Sequence, residues 1–478
     1  MACMSRTLTA ARVTTLVGDF DRSPAYLGLA DALRLLIGDG RIPLDTRLPS
    51  ERELTGALGV SRTTVTRAYA ELRSSGYAAA RHGSGTYTRL PGGRARIRDN
   101  ALLPYAGDEN AIDLNCAAGS APPGVATAYA EAAAELPAHL AGHGYFPAGL
   151  PRLQASIAAT FDARGLPTRP DQIMVTPGAL TATAIVAKAF TGPRDRALIE
   201  SPVYPNATQA IRNSGVRLVP SPVDPEGWDL DAIGELLRQT RPTLAYLIPD
   251  FQNPTGRLMS AEDRERYAAH LRGSGTLAVV DEAHQFLALD GQEMPPPFAV
   301  YAPGTVTIGS ASKSFWGGLR LGWIRAADSA QMLAFTRARV GLDLGAPVLE
   351  QLALVQLLRD PEPVLTAHRD RLRQQRNRLL AALAEHLPDW RFVRPGGGLS
   401  VWCQLPERGA TALAAEAEQR GVLLAPGPIF AAEGGLDRFI RIPWTAPADL
   451  LEEAIRRLAE AWKVVDAAPT PRPRLVVA

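Results

Sequence analysis

Residues 310–322 read SASKSFWGGLRLG, and the apolar run TVTIG precedes them at residues 305–309. A short apolar run that ends in Gly predicts a buried strand, so Lys313 is expected in a loop directly after that strand. Three polar residues accompany the lysine in this stretch: Ser310, Ser312 and Arg320. Two hydroxyls and a guanidinium near one amine suit a phosphate beside a carbonyl group that the amine can attack. The chain has only three lysines, so few other side chains can supply a primary amine.

Similar apolar runs lie on both sides of this loop and alternate with helical patterns. They include IMV at 173–175, RALIE at 196–200, RLVP at 217–220, LAYLIP at 244–249, LAVVDE at 277–282 and LGWIR at 321–325. This alternation predicts an α/β fold in which helices cover a parallel or mixed sheet. A long helical region, roughly 328–387, then leads into a smaller α+β portion at residues 391–465.

Two further positions in this large domain indicate a site for pyridoxal phosphate (PLP). This cofactor needs an amine for a Schiff base, an acid beside its pyridine nitrogen and donors for its phosphate. Asp281 ends the strand LAVVD, where a buried carboxylate is costly without a cationic partner such as a pyridinium. Gly178 and Ala179 open a predicted helix whose free backbone N–H groups can bind phosphate. Taken singly, each of these features also fits an ordinary cap or turn.

The order and spacing of these motifs resemble fold-type I PLP enzymes of the aspartate aminotransferase kind. The resemblance implies that Lys313 forms the Schiff base and that Asp281 pairs with the pyridine nitrogen. It also implies that Asn253, in NPTG, donates to the phenolic oxygen of the cofactor, and that Tyr204 stacks on its ring. The phosphate ligands that it implies are Gly178, Ala179, Ser310, Ser312 and Arg320.

The same resemblance assigns residues outside this set. Tyr145, in GYFPAG, matches a tyrosine that reaches the phosphate of the neighbouring subunit, and Arg441, in FIRIPW, matches an arginine that binds a substrate carboxylate. His284, in DEAH, departs from the family, which usually has Tyr there as a second donor to the phenolic oxygen. Imidazole can still donate at that position, but it titrates nearer neutrality, so the absorbance of the cofactor is expected to differ. No His-Glu-x-x-His motif is present, so no metal site is expected.

The N-terminal part carries a second set of motifs, RLPSERELTGALGVSRTTVTRAYAELRSSGYAAARHGSGTY at residues 47–87. Ser50 and Glu53 form a capping box, which predicts the start of a helix. A tight turn, a second helix over residues 62–75 and a two-stranded hairpin follow. The expected units are a helix-turn-helix unit at residues 24–90, a linker at 91–112 and the large domain at 113–465.

A helix-turn-helix can place its second helix in a DNA major groove, where the first residues of that helix reach base edges. Arg grips guanine with two hydrogen bonds, and Thr can meet a base edge or a phosphate. From these residues alone, a helical protein-interaction domain is the alternative. The full pattern resembles the GntR superfamily of winged-helix repressors over residues 25–89. The DNA contacts that this resemblance implies are Arg52, Arg62, Thr63, Thr64, His82 and Gly83.

Charge is divided unevenly along the chain. Residues 1–98 hold 15 Arg and 8 acidic residues, whereas the whole chain has a net charge of only +2, so the remainder is acidic. This split is expected when only the first part binds nucleic acid, although chance gives a similar one. The three cysteines form no disulfide pattern, and no signal peptide or membrane span is evident, so a cytoplasmic protein is expected.

A GntR-type winged helix joined to an aminotransferase-like domain resembles the MocR subfamily of bacterial transcriptional regulators. The resemblance implies a homodimer with PLP near the subunit interface and a DNA head packed against the partner's large domain. Our hypothesis is a regulator of double-stranded operator DNA that senses PLP, or a small amino compound, through an internal or external aldimine at Lys313. Two alternatives stay open: a working aminotransferase with an accessory DNA-binding unit, and a DNA-binding protein whose enzyme fold is a cofactor-free scaffold.

Overall fold

The N-terminal unit, called the head below, packs four helices against a two-stranded antiparallel hairpin. The computed structural model of the chain describes residues 7–38, 41–43, 46–81, 85–89, 102, 111–224, 226–407 and 409–467. The elements of the head are α1 (Ala10–Val17), α2 (Ala25–Gly38), α3 (Glu51–Leu58), α4 (Arg62–Ser74), β1 (Ala78–Arg81) and β2 (Gly85–Thr88). The predicted helix-turn-helix is confirmed, and so is the capping box, in which Ser50 and Glu53 bond reciprocally at the start of α3.

The head has an apolar core of its own. The residues that α4 buries in it are Val65, Ala68, Tyr69 and Leu72, as its helical spacing predicts. Helix α1, which the sequence pattern did not predict, adds Val13 and Val17 to the same core. The folded head therefore begins earlier in the chain than residue 24.

The rest of the chain, called the body below, is built on an eight-stranded mixed sheet, so the predicted α/β fold is confirmed. Its strands follow a short first strand, β3 (Ile112–Asp113), and are β4 (Ile173–Thr176), β5 (Arg196–Ser201), β6 (Arg217–Asp224), β7 (Gly227–Trp228), β8 (Leu244–Leu247), β9 (Leu277–Asp281), β10 (Val306–Ser310) and β11 (Gly322–Arg325). The order is β4-β11-β10-β9-β8-β5-β6-β7. Strands β10, β9, β8, β5 and β6 are parallel to one another, whereas β11 runs antiparallel to both of its neighbours. Asp281 and Ser310 therefore end adjacent parallel strands at the carboxyl edge, where ligands bind in such sheets.

Helices cover both faces of this sheet. They are α5 (Val125–Glu135), α6 (Pro151–Asp162), α7 (Ala179–Phe190), α8 (Pro205–Arg212), α9 (Leu230–Thr240), α10 (Ala261–Ser274), α11 (Phe298–Tyr301), α12 (Ala311–Ser314), α13 (Ser329–Arg339) and α14 (Val348–Arg359). Alternate residues of β5 enter different cores, with Ile199 packed beside α7 and α8 and Leu198 beside α9 and α10. Among the described residues, no helix combines the length and apolarity needed to cross a bilayer.

The C-terminal part of the body forms a small subdomain. Its elements are α15 (Glu362–His386), β12 (Arg391–Phe392), β13 (Ser400–Gln404), α16 (Ala410–Gln419), β14 (Val422–Leu423), β15 (Ala425–Pro426), β16 (Phe439–Pro443) and α17 (Ala448–Asp466). Four strands pair antiparallel in the order β12-β13-β16-β15, and β14 pairs with β3. The pairing of β3 with β14 brings the segment after Asp113 alongside the small subdomain.

The head touches the small subdomain at the end of α2. The hydroxyl Oγ1 of Thr411 lies 2.7 Å from the carbonyl of Gly38 and 2.5 Å from Oδ1 of Asp437, so two acceptors share one hydroxyl proton. The N–H of Thr411 also donates to Asp437, at 2.8 Å. This contact lies within one chain, and packing of the head against a partner's large domain stays a prediction.

One residue of the predicted linker, Leu102, is described, and it is fixed to the body. Its N–H donates to Oδ1 of Asn206 at 2.7 Å, and Nδ2 of Asn206 donates to its carbonyl at 2.9 Å. Its side chain packs on a cluster that includes Trp402, Phe430 and Phe439. The linker is thus attached beside α8, the helix that follows Tyr204.

Candidate cofactor and effector site

Lys313 lies where β10 gives way to the single turn of α12. Ser310 caps this turn, since its side-chain oxygen accepts from the N–H of Ser312 at 3.2 Å. The amine Nζ of Lys313 donates to the carbonyl of Ala117 at 2.9 Å. Burial is the largest cause of a lowered pKa for Lys313. A lowered pKa increases the fraction of neutral amine, the form that attacks a carbonyl.

His368, which no sequence motif indicated, holds the backbone of this lysine. Its Nε2 lies 3.0 Å from the carbonyl of Lys313, and Nη2 of Arg371 donates to its Nδ1 at 3.0 Å. A carbonyl only accepts and a guanidinium only donates, so the proton of the neutral ring is on Nε2. Helix α15 thereby fixes the turn that presents Lys313.

Asp281 has a hydroxyl partner that sequence reasoning missed. Tyr246, on the neighbouring strand β8, donates to Oδ2 of Asp281 at 2.6 Å, and the N–H of Ala283 donates to Oδ1 at 2.9 Å. Burial raises the pKa of Asp281, while these two hydrogen bonds act in the opposite direction. The side chain is therefore oriented at the strand end but has no cation bonded to it among the described residues, so a protonated ring nitrogen is a suitable partner.

Three of the predicted phosphate ligands, Gly178, Ala179 and Arg320, lie together at the start of α7. Gly178 has a φ of 91°, and a Cβ built on it would lie 3.2 Å from Nη2 of Arg320. A Cβ on Gly322 would lie 2.5 Å from the backbone nitrogen of Ala179, so β11 also closes tightly on this turn. The first N–H groups of a helix lack intrahelical acceptors and favour an anion. Glycine at these positions lets Arg320 and β11 approach the helix start closely, so that a guanidinium lies beside the free N–H groups.

Arg441, on β16, is 1% exposed and only partly paired. Its Nη2 donates to the carbonyl of Asn115, and its Nη1 lies 3.5 Å from Oδ1 of Asn253. Its Nε has no hydrogen-bond partner among the described residues, and the guanidinium lies 5.1 Å from the centre of the Phe430 ring. Burial lowers the pKa of Arg441 to about 10, so the group stays charged near neutrality. A buried cation with a spare donor fits a carboxylate.

Asn253 and Tyr204 lie near Arg441. Because guanidinium only donates, the atom of Asn253 that faces it is the amide oxygen, and the NH₂ group is left to donate elsewhere. Tyr204 is half-buried at the start of α8, and burial raises its pKa. The charges of Arg441, Asp281 and Arg320 also act on that pKa, so the phenol lies among the predicted cofactor ligands.

Residues 115–117 form a strap across the site, and sequence reasoning missed it. The carbonyl of Asn115 accepts from Arg441, and the carbonyl of Ala117 accepts from Lys313. Cys116, a free cysteine, lies between them. The pairing of β3 with β14 positions the strap, and no local sequence pattern announces such a pairing.

His284 is buried directly after β9. Its Nδ1 lies 3.0 Å from the carbonyl of Phe251, the residue two before Asn253. Burial, with smaller contributions in the same direction from the charges of Lys313 and Arg441, lowers the pKa of His284 to about 4, so the ring is neutral near pH 7. Because the carbonyl requires a proton on Nδ1, the other ring nitrogen has none to donate. In its neutral form, His284 therefore cannot donate a hydrogen bond from Nε2 to the phenolic oxygen as tyrosine would. This corrects the expectation from the sequence that its imidazole donates at that position.

Tyr145 stands apart from the other predicted ligands. It is 60% exposed, its ring stacks on His143 at a centroid distance of 5.9 Å, and its N–H donates to Nδ1 of His143. Its phenol is therefore exposed in the single chain, and its role in a neighbouring subunit stays a prediction.

The residues of the head that are predicted to contact DNA differ in the exposure of their side chains. Arg52 and Thr63 are exposed, and the side chain of Arg62 is 78% exposed, with Nε 3.9 Å from Oε2 of Glu51. Thr64 is half-buried, and its hydroxyl bonds to Ser61 at 2.8 Å in the cap of α4. His82 and Gly83 lie outside the described residues.

Comparisons with known proteins match both parts of the chain. The family model described as bacterial regulatory proteins, gntR family, matches residues 25–88, and aminotransferase class I and II matches residues 112–460. The probable rhizopine catabolism regulatory protein MocR of Rhizobium meliloti is 30% identical over 399 residues, which cover 77% of this chain and 78% of that protein. A 2-aminoadipate transaminase of Thermus thermophilus is 34% identical over 311 residues, covering 63% of this chain and 78% of that protein.

A solved structure shares the fold of the body. It is LysN, an alpha-aminoadipate aminotransferase from Thermus thermophilus, complexed with N-(5'-phosphopyridoxyl)-L-leucine. It is 31% identical, has a TM-score of 0.68, and covers 75% of this chain and 94% of its own.

A winged-helix DNA-binding unit followed by a fold-type I, PLP-binding domain defines the class of this protein. The chain belongs to the aminotransferase class I and II family, and its GntR unit makes it a GntR-type regulator of the MocR subfamily. PLP is the cofactor that this domain implies. The residues present fit it, because a half-buried amine, an oriented carboxyl group, a helix start beside an arginine and an amide NH₂ left to donate are the groups that PLP needs.

Proposed function

We propose that this regulator changes its affinity for operator DNA when PLP, or a small amino carboxylate, occupies the site between Lys313 and Arg441. The observation that carries the proposal is the buried guanidinium of Arg441, whose Nε has no partner among the described residues. Its charge also acts on the pKa of Lys313, so the two groups share one electrostatic environment. An amino acid carries both functional groups that such a pair selects, an amine and a carboxylate.

The two ends of the site have separate tasks. PLP, when bound, supplies an aldehyde carbon for which the amine of Lys313 and the amine of a ligand compete. Arg441 binds the carboxylate of the ligand through its spare donor. Ala117 accepts a hydrogen bond from Lys313, and it can hold this amine while a ligand is present.

We assign the remaining residues to the cofactor itself. Asp281, oriented by Tyr246, holds a proton on the pyridine nitrogen, and Tyr204 supplies the flat contact for the ring. Asn253 turns its NH₂ group to the phenolic oxygen, because its amide oxygen faces Arg441. The phosphate ligands in this proposal are Gly178, Ala179, Ser310, Ser312 and Arg320.

A homodimer completes the site in this proposal. The exposed phenol of Tyr145 serves the phosphate of the partner subunit, since a 60% exposed ring is free for such a contact. Apolar side chains that are also exposed in one chain support an interface: Leu140, Val340, Leu342 and Leu344. The loop that carries the last two lies beside residue 146, because a Cβ on Gly345 would meet the backbone of Phe146.

The route from the ligand to the DNA head runs through the small subdomain. Arg441 lies over the ring of Phe430, and the cluster around Phe430 includes Leu436 and Leu102. Asp437 follows Leu436 and shares the hydroxyl proton of Thr411 with the head. A ligand that draws Arg441 and Phe430 inward changes this cluster and thereby the head contact. Coupling of this kind requires that the ligand bind with different affinity to the two arrangements of the cluster and head contact, before and after this change.

In the head, Arg52, Arg62 and Thr63 are the residues that we assign to DNA, because their side chains are exposed on α3 and α4. Thr64 is assigned a smaller part, since its hydroxyl is occupied in the cap of α4. Contacts by His82 and Gly83 stay predictions from the family resemblance.

The test is a DNA-binding titration with the PLP-loaded chain and the DNA upstream of its own gene. Amino acids are compared with the corresponding amines, which lack the carboxylate. We expect an amino acid to change the DNA affinity and its amine to have a much weaker effect. Arg441→Met should remove this difference while the bound PLP absorbance and the basal DNA affinity remain, and Arg441→Lys serves as the charge-preserving control.

Two results contradict the proposal. If Arg441→Met responds to amino acids as the unmodified chain does, the carboxylate site is elsewhere. If amino acids leave the DNA affinity unchanged and the chain turns over an amino acid with a keto acid, the body acts as an aminotransferase. The resemblance to a 2-aminoadipate transaminase makes this second function the rival to exclude.

A further inference from the structure

Two buried histidines near the lysine turn have opposite hydrogen-bond patterns. His284 uses Nδ1, which lies 3.0 Å from the carbonyl of Phe251. His368 uses Nε2, which lies 3.0 Å from the carbonyl of Lys313. A carbonyl oxygen carries no proton, so in each ring the nitrogen that faces it must donate. The neutral rings are therefore opposite tautomers.

The acceptor that fixes His284 is itself held rigidly. Phe251 has a φ of 48°, a left-handed conformation that a non-glycine residue adopts only when its surroundings impose it. A Cβ on Gly397 would overlap the ring of Phe251, so the backbone at Gly397 packs directly against that ring. The preceding residue, Asp250, is bound to Arg264 at 2.5 Å in a fully buried ion pair. The carbonyl of Phe251 therefore has little freedom to release the imidazole.

The charges around His284 also keep its ring neutral. Lys313 and Arg441 disfavour a second ring proton, and Asp250 favours it. Burial is the main reason for the lowered pKa of the ring, and Lys313 and Arg441 act in the same direction as burial. Near neutral pH, the nitrogen Nε2 therefore presents a lone pair.

We propose that His284 acts on the phenolic oxygen of PLP as a hydrogen-bond acceptor, the reverse of the tyrosine donor that the aminotransferase resemblance places there. This inference rests on the proposed PLP site, in which Asn253 donates to the same oxygen. Nε2 of His284 would accept a hydrogen bond from the protonated phenol, while the NH₂ group of Asn253 would donate to the same oxygen. His284 thus favours the neutral phenol over the phenolate, and the bound cofactor is weighted toward the shorter-wavelength absorbance of the phenol form.

The first test measures the tautomers without any cofactor. The chain has seven histidines, so ¹⁵N labelling of histidine gives a spectrum in which each ring can be assigned with single variants. We expect a protonated Nδ1 and an unprotonated Nε2 for His284 at pH 7, and the reverse for His368. His284→Phe and His368→Phe assign the signals, and His368 is the internal control. A proton on Nε2 of His284 overturns the inference and leaves the PLP site itself unaffected.

The second test uses the absorbance of the PLP-loaded chain. His284→Tyr introduces a donor in place of the acceptor, and His284→Phe removes the acceptor with a ring of similar shape. We expect the ratio of phenolate to phenol absorbance to rise about fivefold or more in His284→Tyr, the change that one net hydrogen bond produces. The rise in His284→Phe should be smaller. An unchanged ratio in both loaded variants contradicts the inference, whereas failure of the unmodified chain to bind PLP contradicts the proposed site.

Discussion

In the head, the side chains of Arg52, Arg62 and Thr63 are exposed, whereas in the body most residues assigned to PLP and its ligand are buried or half-buried, Tyr145 and Arg320 excepted. Arg62 is 78% exposed, and its one ion pair, with Glu51, is long. Arg441 is 1% exposed and bonds to Asn115 and Asn253. An exposed arginine binds through charge that salt screens, but a buried one binds through a geometry that its neighbours fix. The two regions should therefore respond to substitution on different scales.

Among substitutions in the body, Lys313→Ala is expected to have the largest effect. The chain has two other lysines, Lys188 and Lys463, and they lie in α7 and α17 of the body. We expect complete loss of the visible absorbance that covalent PLP gives, because no other amine lies on the turn after β10. Absorbance titration with PLP measures this, and DNA affinity at low salt should remain as the control. Persistent absorbance in the variant would place the reactive amine elsewhere.

Lowering the pH should also reduce the stability of the fold through buried histidines of the body, in contrast to the exposed side chains of the head. Burial lowers the pKa of His284 and of His368 from 6.5 to about 4, so the unfolded chain binds protons more readily than the folded one between these values. Stability is therefore fully present above pH 6.5 and is lost as the pH falls toward 4. The loss approaches ~3 kcal/mol per ring.

Thermal unfolding at pH 7 and pH 5 measures this effect. His284→Phe should show a smaller difference between the two melting temperatures than the unmodified chain, whatever its absolute stability. An equal difference in the two proteins would mean that the ring is protonated in the fold.

On the side of the head, Arg62→Ala should weaken binding to the specific operator about tenfold or more, since a bidentate arginine–guanine contact contributes ~1–3 kcal/mol. Arg52→Ala, one helix earlier, should weaken specific and non-specific DNA similarly if it meets phosphate. Titrations against operator and scrambled DNA at two salt concentrations separate these effects. If Arg62→Ala weakens both DNAs equally, Arg62 is not a base-reading residue.

The smallest effect is expected where the two regions meet. Thr411→Val keeps the shape of the side chain but removes the hydroxyl that the head and Asp437 share. We expect the response of DNA affinity to the ligand to change about fivefold, the worth of one hydrogen bond of ~1 kcal/mol. Thr411→Ser restores the hydroxyl and should behave as the unmodified chain. If the DNA affinity of Thr411→Val responds to the ligand as that of the unmodified chain does, this contact does not transmit the ligand signal to the head.

Local sequence signals predicted the features whose partners are close in the chain. The capping box of Ser50 and Glu53 spans three residues, and the apolar runs of the sheet each specify their own strand. The lysine turn was predicted because Ser310, Lys313 and Arg320 occur together in one short stretch. Hydrogen bonds across long separations gave no such signal: Tyr246 to Asp281, His368 to Lys313 and Thr411 to Gly38 span 35, 55 and 373 residues.

Helix α1 shows a different reason for a missed prediction. Its sequence, AARVTTLV, is rich in β-branched residues, which have low intrinsic helix propensity. Val13 and Val17 lie one turn apart on its buried face, and the core of the head covers them. Packing therefore decides this helix, and packing partners that are distant in sequence are not visible in a local pattern.

The double hydrogen bond between Leu102 and Asn206 sets a limit on how far a head can travel from its body. Only the chain between Arg89 and Leu102 connects the hairpin to this anchor, and at full extension it spans about 45 Å. The anchor at Leu102 lies beside α8, the helix that follows Tyr204. In the proposed homodimer, covalent geometry would thereby limit the distance between two operator half-sites that the two heads bind, whether or not a ligand is present.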